Sequence, residues 1–151
     1  MSTKHENIAA ALAAFQGEMP TIPKSKTAKV PTKAGGSYQY SYADLADMTA
    51  LVMPVLARHG LAFITAPRVG EHGRELVGTL LHESGGTLEG ALPIGGNAPQ
   101  EIGSALTYMR RYLLGCLTGV VTDDDDDGSL AQASASPQTR QHRHPEGSPR
   151  R

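Results

Sequence analysis

Apolar residues recur along this chain at two spacings, and the spacing divides it into elements. Steps of three and four, the period of a helix face, occur in three stretches. Ile8, Leu12 and Phe15 predict a short first helix over residues 6–15 on an Ala-rich background, stopped by Gly17 and Pro20. Leu45, Met48, Val52 and Val55, with Leu51 and Leu56 beside them, predict a second helix over 43–59. Pro54 lies inside it, where a missing N–H and a ring clash predict a kink. Gly60 supplies its stop, and Arg58 and His59 sit at the negative end of its dipole, so His59 reads as a capping residue rather than a catalytic one. Ile102, Leu106, Met109, Leu113 and Leu117, flanked by Ala105, Tyr112 and Cys116, form the longest stripe and predict a third helix over 100–119.

Alternation with period two occupies the remainder. Tyr38, Tyr40 and Tyr42 fall on one face of a short strand over 37–42. Residues 61–69, 75–82 and 87–93 read as three further strands, joined by turns at Gly70-Glu-His-Gly73 and Glu83-Ser-Gly-Gly86, and so as an antiparallel meander. The resulting order is helix, short strand, helix, three-stranded meander, helix. It predicts an α+β fold with helices covering one face of the sheet, followed by a disordered Ser-, Ala-, Gln-, Pro- and Arg-rich tail. The domain is expected to occupy residues 1–122 and the acidic run with the tail 123–151. Within the domain, 19–36 carries prolines, glycines and four lysines and reads either as a flexible basic arm or as a plain solvated linker.

Composition narrows the classes. The chain has 151 residues, one cysteine and no tryptophan. A single Cys116 forbids an intramolecular disulfide and a Cys-rich zinc site, and its place beside the apolar stripe predicts a buried thiol. There is no run of 18 apolar residues and no secretory leader pattern, so the expectation is a cytoplasmic protein that makes no use of a membrane. Net charge is −1, but five of the fifteen acids are the consecutive aspartates 123–127, so the remainder of the chain is positive. Lys24, Lys26, Lys29 and Lys33 stand within ten residues, with no acid between Met19 and Ala43. Basic patches of this kind suit a polyanion.

The chemistry on offer is recognition rather than bond-making. On the third helix Ser104, Tyr108 and Arg111 lie along one flank and Thr107, Arg110 and Leu114 along another, and Arg, Thr, Ser and Tyr are phosphate-binding side chains. Arg68 and Arg74 flank the first hairpin of the meander. The tyrosine row either stacks on bases or packs in the core. No phosphate loop of the Gly-x-x-x-x-Gly-Lys type occurs, and five consecutive acids do not converge on one metal ion. No cofactor, metal site or catalytic set is expected.

The segment Gly103-Ser-Ala-Leu-Thr-Tyr-Met-Arg-Arg-Tyr112-Leu-Leu resembles the signature helix of the ERF (essential recombination function) family of phage single-strand annealing proteins. Three further pieces occur in the family's order: Tyr42-Ala-Asp-Leu45 opening a helix, His59-Gly-Leu61 closing it, and the Asp run before Gly128. The resemblance covers roughly residues 5–128. It departs from the family at Gln39 and Ser41, where lysines often stand, and Lys29 and Lys33 are expected to replace them. The resemblance implies ATP-independent binding of single-stranded DNA, annealing of complementary strands in homologous recombination, and assembly into homo-oligomeric rings or filaments. A phage exonuclease or host single-strand-binding protein is the implied protein partner. The residues expected to meet DNA are Lys29, Lys33, Arg68, Arg74, Thr107, Tyr108, Arg110 and Arg111. Two rival readings remain: a metal-dependent nuclease using the Asp run, and a structural protein that protects DNA ends without annealing.

Overall fold

The computed structural model describes residues 2–121. The acidic run and the tail lie outside the described residues. Eight elements follow one another: α1 (Ile8–Gly17), β1 (Lys26–Pro31), β2 (Ser37–Tyr42), α2 (Leu45–Arg58), β3 (Leu61–Gly70), β4 (Gly73–His82), β5 (Thr87–Pro93) and α3 (Pro99–Thr118). The fold is α+β, as the periodicities predict, with one strand more than expected.

Each helix is delimited by local chemistry. The Asn7 side chain accepts from Ala10 N at 3.0 Å to start α1, and Asp44 accepts from Asp47 N at 2.8 Å to start α2. Helix α2 continues through Pro54 and ends at His59, whose N–H caps the last turn, while Gly60 takes a φ of 69°. Helix α3 starts with Pro99, and Glu101 turns back to accept from the N–H groups of Asn97 and Ala98, both at 3.3 Å. It stops at Gly119, φ 80°, whose N–H reaches the Gly115 carbonyl at 2.8 Å.

Strands β3, β4 and β5 form the meander, with Phe63, Leu80 and Leu88 in register across it. All three helices pack on that same face. Phe15, Val52, Leu56, Leu80 and Leu114 are fully enclosed between α1, α2, α3 and the sheet. A second cluster, Leu76 with Met109 and Leu113, joins α3 to β4. Full burial of a side chain of this size stabilises by about 1.5–3 kcal/mol. Gly78, in register with Gly90, forms the floor on which α3 sits: a Cβ on Gly78 would come within 3.0 Å of Leu113 Cβ, and one on Gly90 within 3.3 Å of Leu117.

Segment 19–36 differs from the expectation of a flexible arm. Ile22 is wholly buried in the core and anchors its start. Beyond it β1 pairs antiparallel with β2, from Lys26 opposite Tyr42 to Pro31 opposite Ser37. The tyrosine strand needed a partner for its backbone N–H and C=O groups, and the preceding segment supplies one. The turn closes with Thr32 N donating to Gly36 O at 2.8 Å and Gly35 at φ 86°, which puts Lys33 at the tip. This two-stranded ribbon is separate from the meander.

Candidate nucleic-acid interface

The third helix carries two different surfaces. Met109, Leu113 and Leu114 are buried, whereas Tyr108 and Tyr112 are exposed at 53% and 47%. Two assignments from the stripe are thereby corrected. Cys116 is exposed, not a buried thiol, and Tyr112 faces outward rather than joining the stripe. Leu114, placed on the polar flank by its spacing, is fully buried. Helix α3 packs against both the sheet and the other two helices, so its buried arc turns towards Leu114 and Thr118 and away from Tyr112 and Cys116.

The exposed side brings four residues together. The Arg111 guanidinium lies 5.7 Å from the ring centre of Tyr42 and 5.2 Å from that of Tyr108. One of its N–H groups donates to the Ala43 carbonyl at 3.2 Å. Tyr108 and Tyr112, one helical turn apart, have ring centres 4.5 Å apart and hydroxyls 2.7 Å apart. The Tyr108 hydroxyl raises the pKa of the Tyr112 phenol above its ordinary value of 10.0, and burial adds to the rise, so Tyr112 is neutral at physiological pH. Tyr42 closes β2 and Ala43 follows it, so Arg111 fixes the root of the ribbon against α3.

The start of the ribbon is fastened separately. Ser25 donates to the Asp47 carboxylate at 2.7 Å, which holds that carboxyl below its ordinary pKa, and Lys26 stands 3.9 Å from Asp44. The register puts Lys26, Ala28 and Val30 on the tyrosine face of the ribbon and Thr27, Lys29 and Pro31 on the other.

The eight expected DNA contacts therefore do not form one patch. Tyr108 and Arg111 meet each other. Arg110 is exposed and has no ion pair or hydrogen bond among the described residues. Residues two positions apart on a helix are about 200° apart around its axis, so Arg110 points nearly opposite to Tyr108. Thr107 is exposed, its hydroxyl donating to Gly103 O at 3.3 Å. Lys29 and Lys33 are exposed on the ribbon. Arg68 lies on the sheet face opposite the helices, donating to Glu75 at 2.7 Å with Glu89 at 3.9 Å, and the Glu75 contact raises its pKa further. Arg74 donates to the Gly96 carbonyl at 2.9 Å. The i and i+4 spacing of Tyr108 and Tyr112 is the signal in the sequence for this pair, since such side chains meet on a helix.

The ERF superfamily model matches residues 8–149. The chain belongs to the ERF superfamily. That family is known for single-strand annealing in recombination and is generally non-enzymatic. No match was found among curated proteins or among solved structures. Among the described residues no helix is long and apolar enough to cross a membrane, and no three His, Cys, Asp or Glu side chains form a group that could hold a metal ion.

Proposed function

We propose that this ERF-superfamily chain binds single-stranded DNA and anneals complementary strands without ATP, in phage-type homologous recombination. The observation that carries the reading is the pairing of an exposed tyrosine–arginine surface on α3 with a lysine-bearing ribbon rooted against it through Arg111. Annealing needs the repulsion between two phosphate backbones reduced while the bases stay free of sequence-specific contacts. Exposed Lys29, Lys33 and Arg110 serve the first need, with Thr107 as a neutral donor. Arg68 and Arg74 already have carboxylate and carbonyl partners and enter only as a secondary contribution. We further propose that copies assemble as rings or filaments, which places many weak sites along one strand and multiplies affinity. Such a protein works in the cytoplasm of a bacterial host, with a recombination exonuclease or a host single-strand-binding protein as its partner.

The test is annealing of two complementary oligonucleotides, one carrying a donor dye and the other an acceptor, with no ATP and with or without magnesium. Accelerated pairing without ATP or magnesium supports the proposal. Binding without acceleration would leave a DNA-end-protecting protein. Magnesium-dependent shortening of the strands would point instead to a nuclease using the aspartates 123–127, which lie outside the described residues.

A further inference from the structure

We infer that Tyr108 and Tyr112 form a base-stacking step for unpaired bases, and that Arg111 is the positioning residue that holds it rather than a phosphate ligand. The inference rests on the proposed binding of single-stranded DNA and assigns the parts of that one surface.

The geometry gives Arg111 little to offer a phosphate. Its Cζ lies over the rings of Tyr42 and Tyr108, and one of its donors is committed to the Ala43 carbonyl. A planar, delocalised cation is suited to this position, whereas an ammonium on the same stem would not cover two rings. The tyrosines are arranged the other way. They lock to one another through their hydroxyls, so neither ring spends conformational freedom on binding, yet each keeps about half of its surface open. Two large aromatic side chains left exposed and mutually fixed are costly in a folded chain unless a partner covers them. Tyr42, Arg111, Tyr108 and Tyr112 form a continuous row of contacts in which the two last rings meet at a tilt of 47°, each with an open face, and a flat group that can lie on such a face is a nucleobase.

Stacking of this kind accepts any base, since every base has a π face, so it adds affinity without sequence readout. It also discriminates between strand states. Bases in a duplex are stacked on their neighbours and cannot enter. Pairing of a complementary strand therefore withdraws the bases from the tyrosines, and the annealed product is held less tightly than either strand. A surface built only from phosphate contacts would instead hold the more highly charged duplex at least as well.

The test compares two ligands of equal length on the full chain: a thymidine oligonucleotide, and an abasic oligonucleotide with the same sugar–phosphate backbone and no bases. The chain has five tyrosines and no tryptophan, so tyrosine emission is observable, and the quenching lost in the Tyr108 and Tyr112 variants assigns it to the pair. The expected result is binding of the thymidine strand roughly 5- to 150-fold tighter than the abasic strand, the range of one stacked base, with emission quenched only by the former. Tyr108→Ala and Tyr112→Ala are expected to erase the difference while leaving abasic affinity unchanged, and Tyr112→Phe to retain it. Arg111→Lys is expected to lose the thymidine preference, as the tyrosine variants do. Equal affinity of the parent protein for both ligands would overturn the stacking step while leaving strand binding intact, and this comparison needs no variant to fold. An unchanged thymidine preference in Arg111→Lys would overturn its positioning role. Failure of the parent to bind either ligand would refute the proposed function itself.

Discussion

Arg110 and Arg111 are neighbours in sequence, yet the fold gives them separate surroundings. A helical step of about 100° sends Arg111 between two tyrosine rings and leaves Arg110 in solvent. The sequence places them on two flanks of the helix, because spacing gives the angle between side chains, but it does not show which neighbouring element fills each direction. Arg110→Ala is accordingly expected to lower the slope of log affinity against log salt for single-stranded DNA by about 0.7, the value of one lost phosphate contact. A titration series at several salt concentrations reads this, and an unchanged slope would take Arg110 off the DNA. A second residue-scale feature was half legible. His59 fills with its N–H the capping position that its place at the helix end predicts, but spacing says nothing of where its ring goes. The ring is buried, with Nδ1 2.8 Å from His5 Nε2 and Nε2 3.2 Å from Glu18, and Arg58 also reaches Glu18 at 3.0 Å. The Arg58 and His59 hydrogen bonds hold the Glu18 carboxyl below its ordinary value of 4.5. A carboxyl with a lowered folded pKa adds stability at pH above its unfolded value and loses it as pH falls through the folded one. The melting temperature of the parent is therefore expected to exceed that of Glu18→Gln at pH 7, with the gap closing below pH 4.5. Salt is expected to narrow it too, because Glu18 and Arg58 are each half exposed. A gap that persists unchanged at low pH would mean that the contact acts through packing and not through charge.

At the scale of elements, the helices and the meander were legible because their burial is one-sided and periodic. β2 and β5 have the expected bounds, and the other expected elements differ by one or two residues at their ends. What was not legible is whatever depends on contact between elements. Strand β1 has only Ala28 and Val30 as inward apolar positions, so alternation could not reveal it; the need of β2 for a pairing partner decides it. The close seat of α3 on the sheet was equally hidden. Gly78 and Gly90 look like weak points in strands, since each lacks a side chain to pack. In the structure they are the positions at which Leu113 and Leu117 approach the sheet. Gly78→Ala is expected to destabilise the fold by about 1–3 kcal/mol, the usual cost of overpacking a core. The obstructing atom is Leu113 Cβ, at 3.0 Å, with Phe63 at 3.3 Å beside it, so relief requires a shift of the helix and not merely of a side-chain tip. Chemical denaturation of the variant measures this, and a midpoint equal to the parent's would show that α3 has room to move. Replacing Lys29 and Lys33 by Gln tests the ribbon as a unit. Affinity is expected to fall about equally for all sequences, since phosphate contacts carry no base information. A loss confined to some sequences would mean that the ribbon reads bases.

For the whole molecule, the question is how a chain of net charge −1 serves a polyanion, and the answer proposed here is the distribution of its charge. Residues 1–122 hold ten basic side chains against nine acids, and the aspartates 123–127 begin three positions after Val120, the last buried residue among those described. Every described element precedes Thr122. A truncation ending there is expected to melt like the parent and to anneal, which would fix the domain boundary; loss of annealing would place part of the active surface in the remaining residues, through which the family match continues to 149. The aspartates follow a domain with basic side chains on its surface and are expected to compete with DNA for them. Changing all five to Asn in the full chain leaves the arginines beyond them in place and isolates that competition. Tighter single-strand binding than the parent is expected at low salt. The difference is expected to vanish near 0.5 M, where screening shortens the Debye length to about 4–5 Å and separated charges no longer sense each other. Identical binding of the Asn form and the parent at low salt would end the idea of electrostatic competition and leave the run as a solubilising segment. A difference that survived at high salt would point to a direct contact of the aspartates instead, because screening removes long-range repulsion but leaves a close hydrogen-bonded pair largely intact.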